Sequence, residues 1–360
     1  MLWRAYALLS HGGDRMGWRS WRRSAPPPVR RRPEEVLDLL ERTDEALWLA
    51  SALMACADSG MLRCLETPST IEGMAGRLSR DPALVATLVD VLVGAGLASC
   101  EHGRVRAAPA LRSFTSEEGA EAFKAALQAP LLQTEDFRAR LREGRLALAG
   151  WTHTDEAIID AQGALTRLWT AKALPKLRFL PGLVPCLERQ GASLLDVGAG
   201  AAGLSIVLCR AFPHLTAVAL EPAEPSAVIG ERRVRESGLS TRITLRRQRV
   251  EEMEDEAAFD LAFLPQMFLP GAVVAEAARR IFYSLRPGGW LLVAVLADRG
   301  PDLASSLNRL KNLLWGGGTR SLESLKPHFA AAGFDPVIRA PGGRTIRMIC
   351  ARRPLAGSSP

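Results

Sequence analysis

The chain has 360 residues, 48% of them hydrophobic, with mean hydropathy near zero, so it is long enough for two domains with separate cores. Its longest strongly apolar stretch, Trp290 to Ala297, is far short of the ~20 residues a membrane span requires. The formal charge of +7 is gathered in residues 1–33, where eight arginines face one acid, Asp14; the rest is near neutral and offers no broad basic face for nucleic acid.

That basic tail contains APPPVRRRP and reads as a disordered arm. A secretory signal would need an apolar stretch after Trp21-Arg22-Arg23, and proline follows instead. From Asp44 to about Gly60 an Ala/Leu-rich segment predicts a helix. Ser69-Thr70-Ile71-Glu72 has the form of a capping box, and Ile71, Met74, Ala75 and Leu78 follow at helical spacing. Asp81-Pro82 opens a third helix, acid at the N-cap and proline at the first helical position, with an expected apolar stripe of Leu84, Leu88, Val91 and Leu92. LASC and RVRA, either side of Glu101-His102-Gly103, predict a small hairpin. Three helices and a hairpin are the order of a winged helix. The third helix, DPALVATLVDVLVG, has two aspartates and no basic residue, so phosphate would repel it; it is expected to be buried in a dimer or against the second domain rather than on DNA.

Residues 116–190 read as a helical connector that walls the substrate pocket. After Gly191 strands and helices alternate: LLDV, a helix from Leu204 to Phe212, LTAVALE, a helix through Arg233, RITLRRQ, FDLAFLP, a helix over Ala272–Leu285, and WLLVAVL. A helix over Ser321–Ala332 and two runs, FDPVIRA and RTIRMICA, end the pattern as an edge hairpin. Six scattered cysteines, with no C-x-x-C pair and no histidine at metal spacing, predict buried thiols of a reducing cytoplasm and no metal site.

The turn after LLDV holds Gly198, Gly200 and Gly203, the G-x-G-x-x-G spacing of a dinucleotide loop. Two ligands compete for it. NAD would seat its pyrophosphate on the helix N-terminus, yet Asp196 stands two residues before the first glycine. A carboxylate ~5 Å from a phosphate charge costs about 3 kcal/mol at an effective dielectric of about 20. S-adenosylmethionine (SAM) carries an ammonium and a sulfonium instead, which an acid attracts. Glu221, 23 residues after Gly198 at the end of the second strand, suits the ribose of either. Asp196 favours SAM.

Leu195-Asp196-Val197-Gly198-Ala199-Gly200, Glu221, Phe259-Asp260 and Leu285-Arg286-Pro287-Gly288-Gly289-Trp290 together resemble a class I SAM-dependent methyltransferase with an N-terminal winged-helix dimerisation domain, of the small-molecule O-methyltransferase type. The resemblance covers roughly residues 40–352. It implies a Rossmann-like seven-stranded domain over 191–352, a mostly α winged-helix domain over 34–115, and a homodimer. It places Asp196, Gly198, Gly200, Glu221, the run Gln248-Arg249-Val250, and Leu264-Pro265 around the cofactor. Trp169, Gln266, Met267 and Phe268 would line the acceptor. Three features depart from the pattern. Ala202 stands where glycine is usual; Arg249 cannot accept from an adenine amino group, leaving Gln248 or Glu251 to do so; and no histidine follows the fourth strand.

Methyl transfer to a hydroxyl benefits from a general base, most often histidine. His11, His102 and His214 read as surface groups and His328 as structural. His153, in Trp151-Thr152-His153-Thr154-Asp155 just before the helix leading into the SAM domain, is the candidate base. The reading is a cytoplasmic, dimeric methyltransferase of secondary metabolism acting on a small, largely apolar acceptor at a hydroxyl oxygen. Its alternative is a catalytically inactive SAM-binding or regulatory protein of the same fold.

Overall fold

The computed structural model describes residues 32–144, 151–318, 321–340 and 345–355. The basic tail, apart from its last two residues, lies outside them. Helices α1 (Pro33–Asp58), α2 (Met61–Cys64), α3 (Ile71–Leu78) and α4 (Pro82–Gly94) precede strands β1 (Ala98–Glu101) and β2 (Arg104–Ala107), which pair antiparallel. Cys56, Met61, Leu62, Met74, Val85, Val89, Leu92 and Val105 form their shared core.

Two local expectations are corrected. Thr70, not Ser69, caps α3 by accepting from Gly73 N–H, because Ser69 is spent on a bridge to Val105 and accepts from Arg77. In α4 the buried face is Val85, Val89 and Leu92, whereas Leu84 is 51% exposed. Asp81 caps α4 as the sequence predicts, accepting from Ala83 N–H at 2.7 Å. The first helix also begins earlier than Asp44, at Pro33.

Two helices follow: α5 (Glu117–Arg142), capped by Ser116, and α6 (Glu156–Ala173), capped by Asp155. The short α7 (Leu183–Glu188) leads into a seven-stranded sheet built from β3 (Ser193–Val197), β4 (Thr216–Leu220), β5 (Ile243–Arg246), β6 (Phe259–Pro265), β7 (Leu285–Leu296), β8 (Val337–Ala340) and β9 (Ile346–Arg352). The strand order is β5-β4-β3-β6-β7-β9-β8; all neighbours are parallel except β9, antiparallel to both β7 and β8. The last two runs are thus an edge hairpin, as their sequence suggests, with β9 on the inner side. Helices α8 (Gly203–Ala211), α9 (Glu224–Glu236), α10 (Val274–Ser284), α11 (Leu303–Leu314) and α12 (Leu322–Ala331) complete the domain.

Both faces of this sheet are covered, which is why its strands read as continuous apolar runs. Leu194 packs on one side with Leu208, Leu215 and Trp290; its neighbour Leu195 packs on the other with Leu264, Ile281 and Phe329. Asp260 ties the amino ends of the strands together. It accepts from Ser193 N–H at 2.9 Å and from Arg189 and Arg286, each at 2.5 Å. The chain leaves β3 toward β4 on one side and later returns to β6 on the other. The carboxyl ends of β3 and β6 are therefore the switch point at which such sheets bind ligands. No helix among the described residues is long and apolar enough to cross a membrane.

Candidate active site

The loop from Val197 into α8 is shaped by glycines with distinct duties. Gly198 (φ 64°) and Gly200 (φ 54°) sit in the left-handed region that favours glycine. A Cβ on Gly200 would meet nothing within 4 Å, and one on Gly198 only the Pro265 ring at 3.8 Å, so the loop's outer surface is open. Gly203 serves packing instead. A Cβ there would lie 2.6 Å from the Gly163 carbonyl of α6. Gly163 is in turn closed against Ala201, and Gly230 of α9 against the Gly200 carbonyl. These small residues let α6 and α9 press directly on the loop. Ala202, fully buried at φ 56°, adopts the left-handed turn without being glycine.

Two carboxylates underlie this loop. Asp196 is buried and accepts from the Ser205 hydroxyl at 2.7 Å; burial pushes its carboxyl up to about 7, with the Glu221 charge adding to the rise. Glu221 accepts from Gly200 N–H and Ala223 N–H, each at 2.8 Å, and burial likewise raises its carboxyl above the usual range. Among the described residues neither carboxylate is paired with a lysine or arginine. This is a buried acidic centre with no cation paired to it among the described residues.

The other cofactor candidates are spread along the same edge. Leu264 is fully buried beneath the loop and Pro265 faces Gly198. Val250 is buried. Gln248 donates to the Glu252 carbonyl at 2.9 Å. Arg249 is 62% exposed and 3.7 Å from Glu251, so its guanidinium points away to solvent.

Beyond β6, Trp151, Phe268 and Trp315 form a ring cluster. Phe268 lies 5.1 Å from each of the two tryptophans. Buried Met267 packs with Phe268 and Trp315, and Gln266, fully buried on the turn after Pro265, precedes it. Trp169 is not with them; it is 44% exposed on α6, beneath the Lys172 ammonium that also overlies Phe114.

His153 stacks on Trp151, ring centres 4.3 Å apart. Its Nδ1 lies 3.1 Å from Asp136 Oδ2 and 3.2 Å from Arg140 Nη2, both from α5. Burial lowers its pKa, against the Asp136 charge, so the ring is neutral near pH 7. No sequence spacing connects Asp136 and Arg140 to His153, because they lie on another helix. Among the described residues no group of three or more His, Cys, Asp or Glu could hold a metal ion.

The fold and its glycine-carboxylate edge define a class I SAM-dependent methyltransferase fold. Residues 194–289 match the family described as "Methyltransferase domain". The chain is similar to the release factor glutamine methyltransferase of Gloeobacter violaceus, 25% identical over 150 residues, covering 34% of this chain and 52% of that protein. It is also similar to the L-tyrosine C(3)-methyltransferase of Streptomyces lavendulae, 32% identical over 114 residues, or 31% of each. The chain thus spans about half the length of one curated relative and a third of the other. Among solved structures, an O-methyltransferase family protein from Burkholderia thailandensis superposes with TM-score 0.62 at 17% identity, covering 89% of this chain and 98% of that one. Human N-acetylserotonin methyltransferase in complex with SAM gives 0.61 at 16% identity, covering 91% and 100%.

Proposed function

We propose that the protein is a SAM-dependent methyltransferase that transfers a methyl group to a hydroxyl oxygen of a small acceptor. The observation that carries this reading is the pair Asp196 and Glu221. Two buried carboxylates with no paired cation among the described residues would repel a pyrophosphate, and they suit a ligand bearing an ammonium and a sulfonium. The open surface over Gly198 and Gly200 leaves room for close backbone approach, so the residues present fit the group. Bound there, SAM supplies an electrophilic methyl on sulfur. Glu221 would accept from the ribose hydroxyls, and Val250 and Leu264 would bound its apolar side, with Gln248 within the same edge.

The protein's own part in the chemistry is alignment and proton removal. Phe268, Met267, Trp151 and Trp315 would hold the acceptor ring and exclude water. His153 is the proposed base. If its Nδ1–H donates to Asp136, Nε2 keeps a lone pair for the acceptor proton; if Nδ1 accepts from Arg140, Nε2 is protonated and inert. Asp136 is therefore a positioning residue that selects the working tautomer. His153→Gln is expected to lower kcat by about 10²–10⁴ with unchanged affinity for S-adenosylhomocysteine (SAH).

We also assign the protein to the cytoplasm and to a homodimer formed through its N-terminal domain. Leu37, Leu40, Leu47 and Trp48 of α1 are exposed, a ridge of a kind that a second copy would cover. Calorimetric titration with SAM, SAH and NAD⁺ tests the central reading. Micromolar binding of the first two and none of NAD⁺ is expected; binding of NAD⁺ alone would overturn it. A chain that binds SAM yet methylates no phenolic or polyketide-like acceptor would favour the regulatory alternative.

A further inference from the structure

Helix α11 is inside out. Its polar residues Ser305, Asn308 and Asn312 are buried, while Leu303, Leu307 and Leu310 face outward. Burying an amide is unfavourable unless its groups are bonded, so each inward group should have a partner. Ser305 and Asn308 do: the Ser305 hydroxyl accepts from Arg299 N–H, and Asn308 donates to the Ala297 carbonyl at 2.8 Å. Asn312 is only half satisfied. Its Nδ2 donates to the Gly318 carbonyl at 2.5 Å, but Oδ1 has no partner.

Gln266, on the turn after β6, repeats the pattern. Its Nε2 donates to the Gly317 carbonyl at 2.9 Å, and its Oε1 has no partner. The two side chains thus grip consecutive carbonyls of one loop. Gly317 is hemmed in by both sides: a Cβ there would lie 2.5 Å from Asn312 Oδ1 and 2.7 Å from Met267 Cα. The amide orientations are fixed by chemistry. Rotating either amide would set its oxygen against a carbonyl oxygen and orphan an NH₂ group instead. What remains unpaired is therefore two acceptors, 0% and 4% exposed by residue: Gln266 directly follows Pro265 and precedes Phe268 by two residues, and Asn312 precedes Trp315 by three.

We propose that Gln266 Oε1 and Asn312 Oδ1, both left unpaired where their amides hold the Gly317-Gly318 loop, read an NH₂ group on the methyl acceptor, carried beside the hydroxyl that is methylated. A nitrogen with two N–H bonds can donate to two carbonyl oxygens, and a tertiary nitrogen offers neither. The substrate class is then a hydroxy-aromatic compound bearing a primary amide or amine, with apolar ring walls and a polar floor. This rests on the acceptor site proposed above. A buried acceptor left unpaired is unfavourable, so a ligand lacking the N–H group should be rejected more strongly than its lost contact area implies.

The test uses the full chain with 2-hydroxybenzamide and 3-hydroxybenzamide, each beside its N,N-dimethyl analogue. Quenching of Trp151 and Trp315 fluorescence reports binding without turnover, and each titration is run with and without SAH. At least one primary amide is expected to bind tenfold or more tighter than its dimethyl partner. Gln266→Met with Asn312→Leu should reduce that ratio to within twofold, and melting curves confirm that the variant is folded. Equal affinities in the wild type, or binding of none of the four, overturns the proposal, as does a ratio that survives in a folded double variant. Should the double variant not fold, the wild-type ratio alone decides. A chain that discriminates but never binds SAH refutes the methyl-donor reading alone; one that binds SAH without discriminating refutes this pair alone.

Discussion

Asp196→Asn separates the electrostatics of the loop from its shape, since asparagine keeps an oxygen for the Ser205 hydroxyl while it loses the charge and exchanges the other oxygen for an NH₂ group. Burial raises the Asp196 carboxyl from 3.8 to about 7, some three pH units, or about 4 kcal/mol of preference for the neutral form. A carboxyl raised on folding contributes stability that is fully present below its unfolded pKa, near 4. That contribution is lost as pH rises to the folded value, near 7, and stays lost above it. Wild type and variant should therefore have similar stability at pH 4, and the variant should be ahead at pH 8. Allowing about 1 kcal/mol for a weaker bond to Ser205, the gain at pH 8 is about 3 kcal/mol. That corresponds to roughly 6–12 °C in Tm for a domain of this size.

Ligand binding should move the opposite way. A bound ammonium at roughly 6 Å from the carboxylate is worth about 3 kcal/mol at an effective dielectric of about 20, so the variant should bind SAH about a hundredfold more weakly at pH 8. In the wild type the affinity should also fall about tenfold per pH unit below pH 7, because the carboxyl must first give up a proton. The variant lacks that slope, and its titration subtracts the ammonium's own ionisation. Scanning calorimetry at pH 4 and 8 and isothermal titration between pH 5 and 8 read both effects. A Tm difference that does not change with pH would refute the buried-charge argument. Equal SAH affinities at pH 8 would refute the role of Asp196 in holding a cation.

Two further substitutions probe the frame. Gly203→Ala would push a methyl to 2.6 Å from the Gly163 carbonyl. Overpacking against backbone should destabilise by about 1–3 kcal/mol despite the better helix propensity of alanine, read as a lower urea midpoint. Asp260→Ala removes the acceptor of Ser193 N–H and the partner of two half-exposed arginines. The loss should be about 2–3 kcal/mol, mostly from the orphaned N–H, since screening weakens the arginine pairs. Because Asp260 sits at the amino ends of the strands, SAH affinity of the folded fraction should not change; a large loss would mean that the sheet transmits strain to the loop.

The sheet was legible because a parallel strand buried on both faces writes itself as an unbroken apolar run, and LLDV, FDLAFLP and WLLVAVL are such runs. Asp196, Gly198, Gly200 and Glu221 were legible because one strand and one turn hold each pair at fixed spacing. Other features carried no such signal. In α4 aliphatic residues lie all round the helix, so periodicity could not choose between Leu84 and Val85. Trp169 shares the helix that packs on the loop, but its ring points to the Phe114 side. Asp136 and His153 meet across two helices. In α11 the amphipathic rule would turn Leu303, Leu307 and Leu310 inward, and it is the asparagines that are buried there.

Ala202 shows how a residue can break a local rule without breaking the fold. A left-handed backbone disfavours alanine by roughly 1–2 kcal/mol relative to glycine. Its methyl, however, is fully buried against the sheet-side core with Leu204, Leu208 and Leu215, which returns roughly 0.8 kcal/mol. Alanine also restricts the unfolded chain more than glycine would, by about 0.5–1 kcal/mol. The two sides nearly cancel, so glycine is not required at this position. The glycines whose loss the site cannot absorb are those where a backbone carbonyl occupies the space of a side chain: Gly203 against Gly163, and Gly230 against Gly200. Strain in a single dihedral can be offset by burying one methyl group, whereas a steric clash with backbone yields only if α6 or α9 moves off the loop, and with it the surface on which Asp196 and Glu221 act.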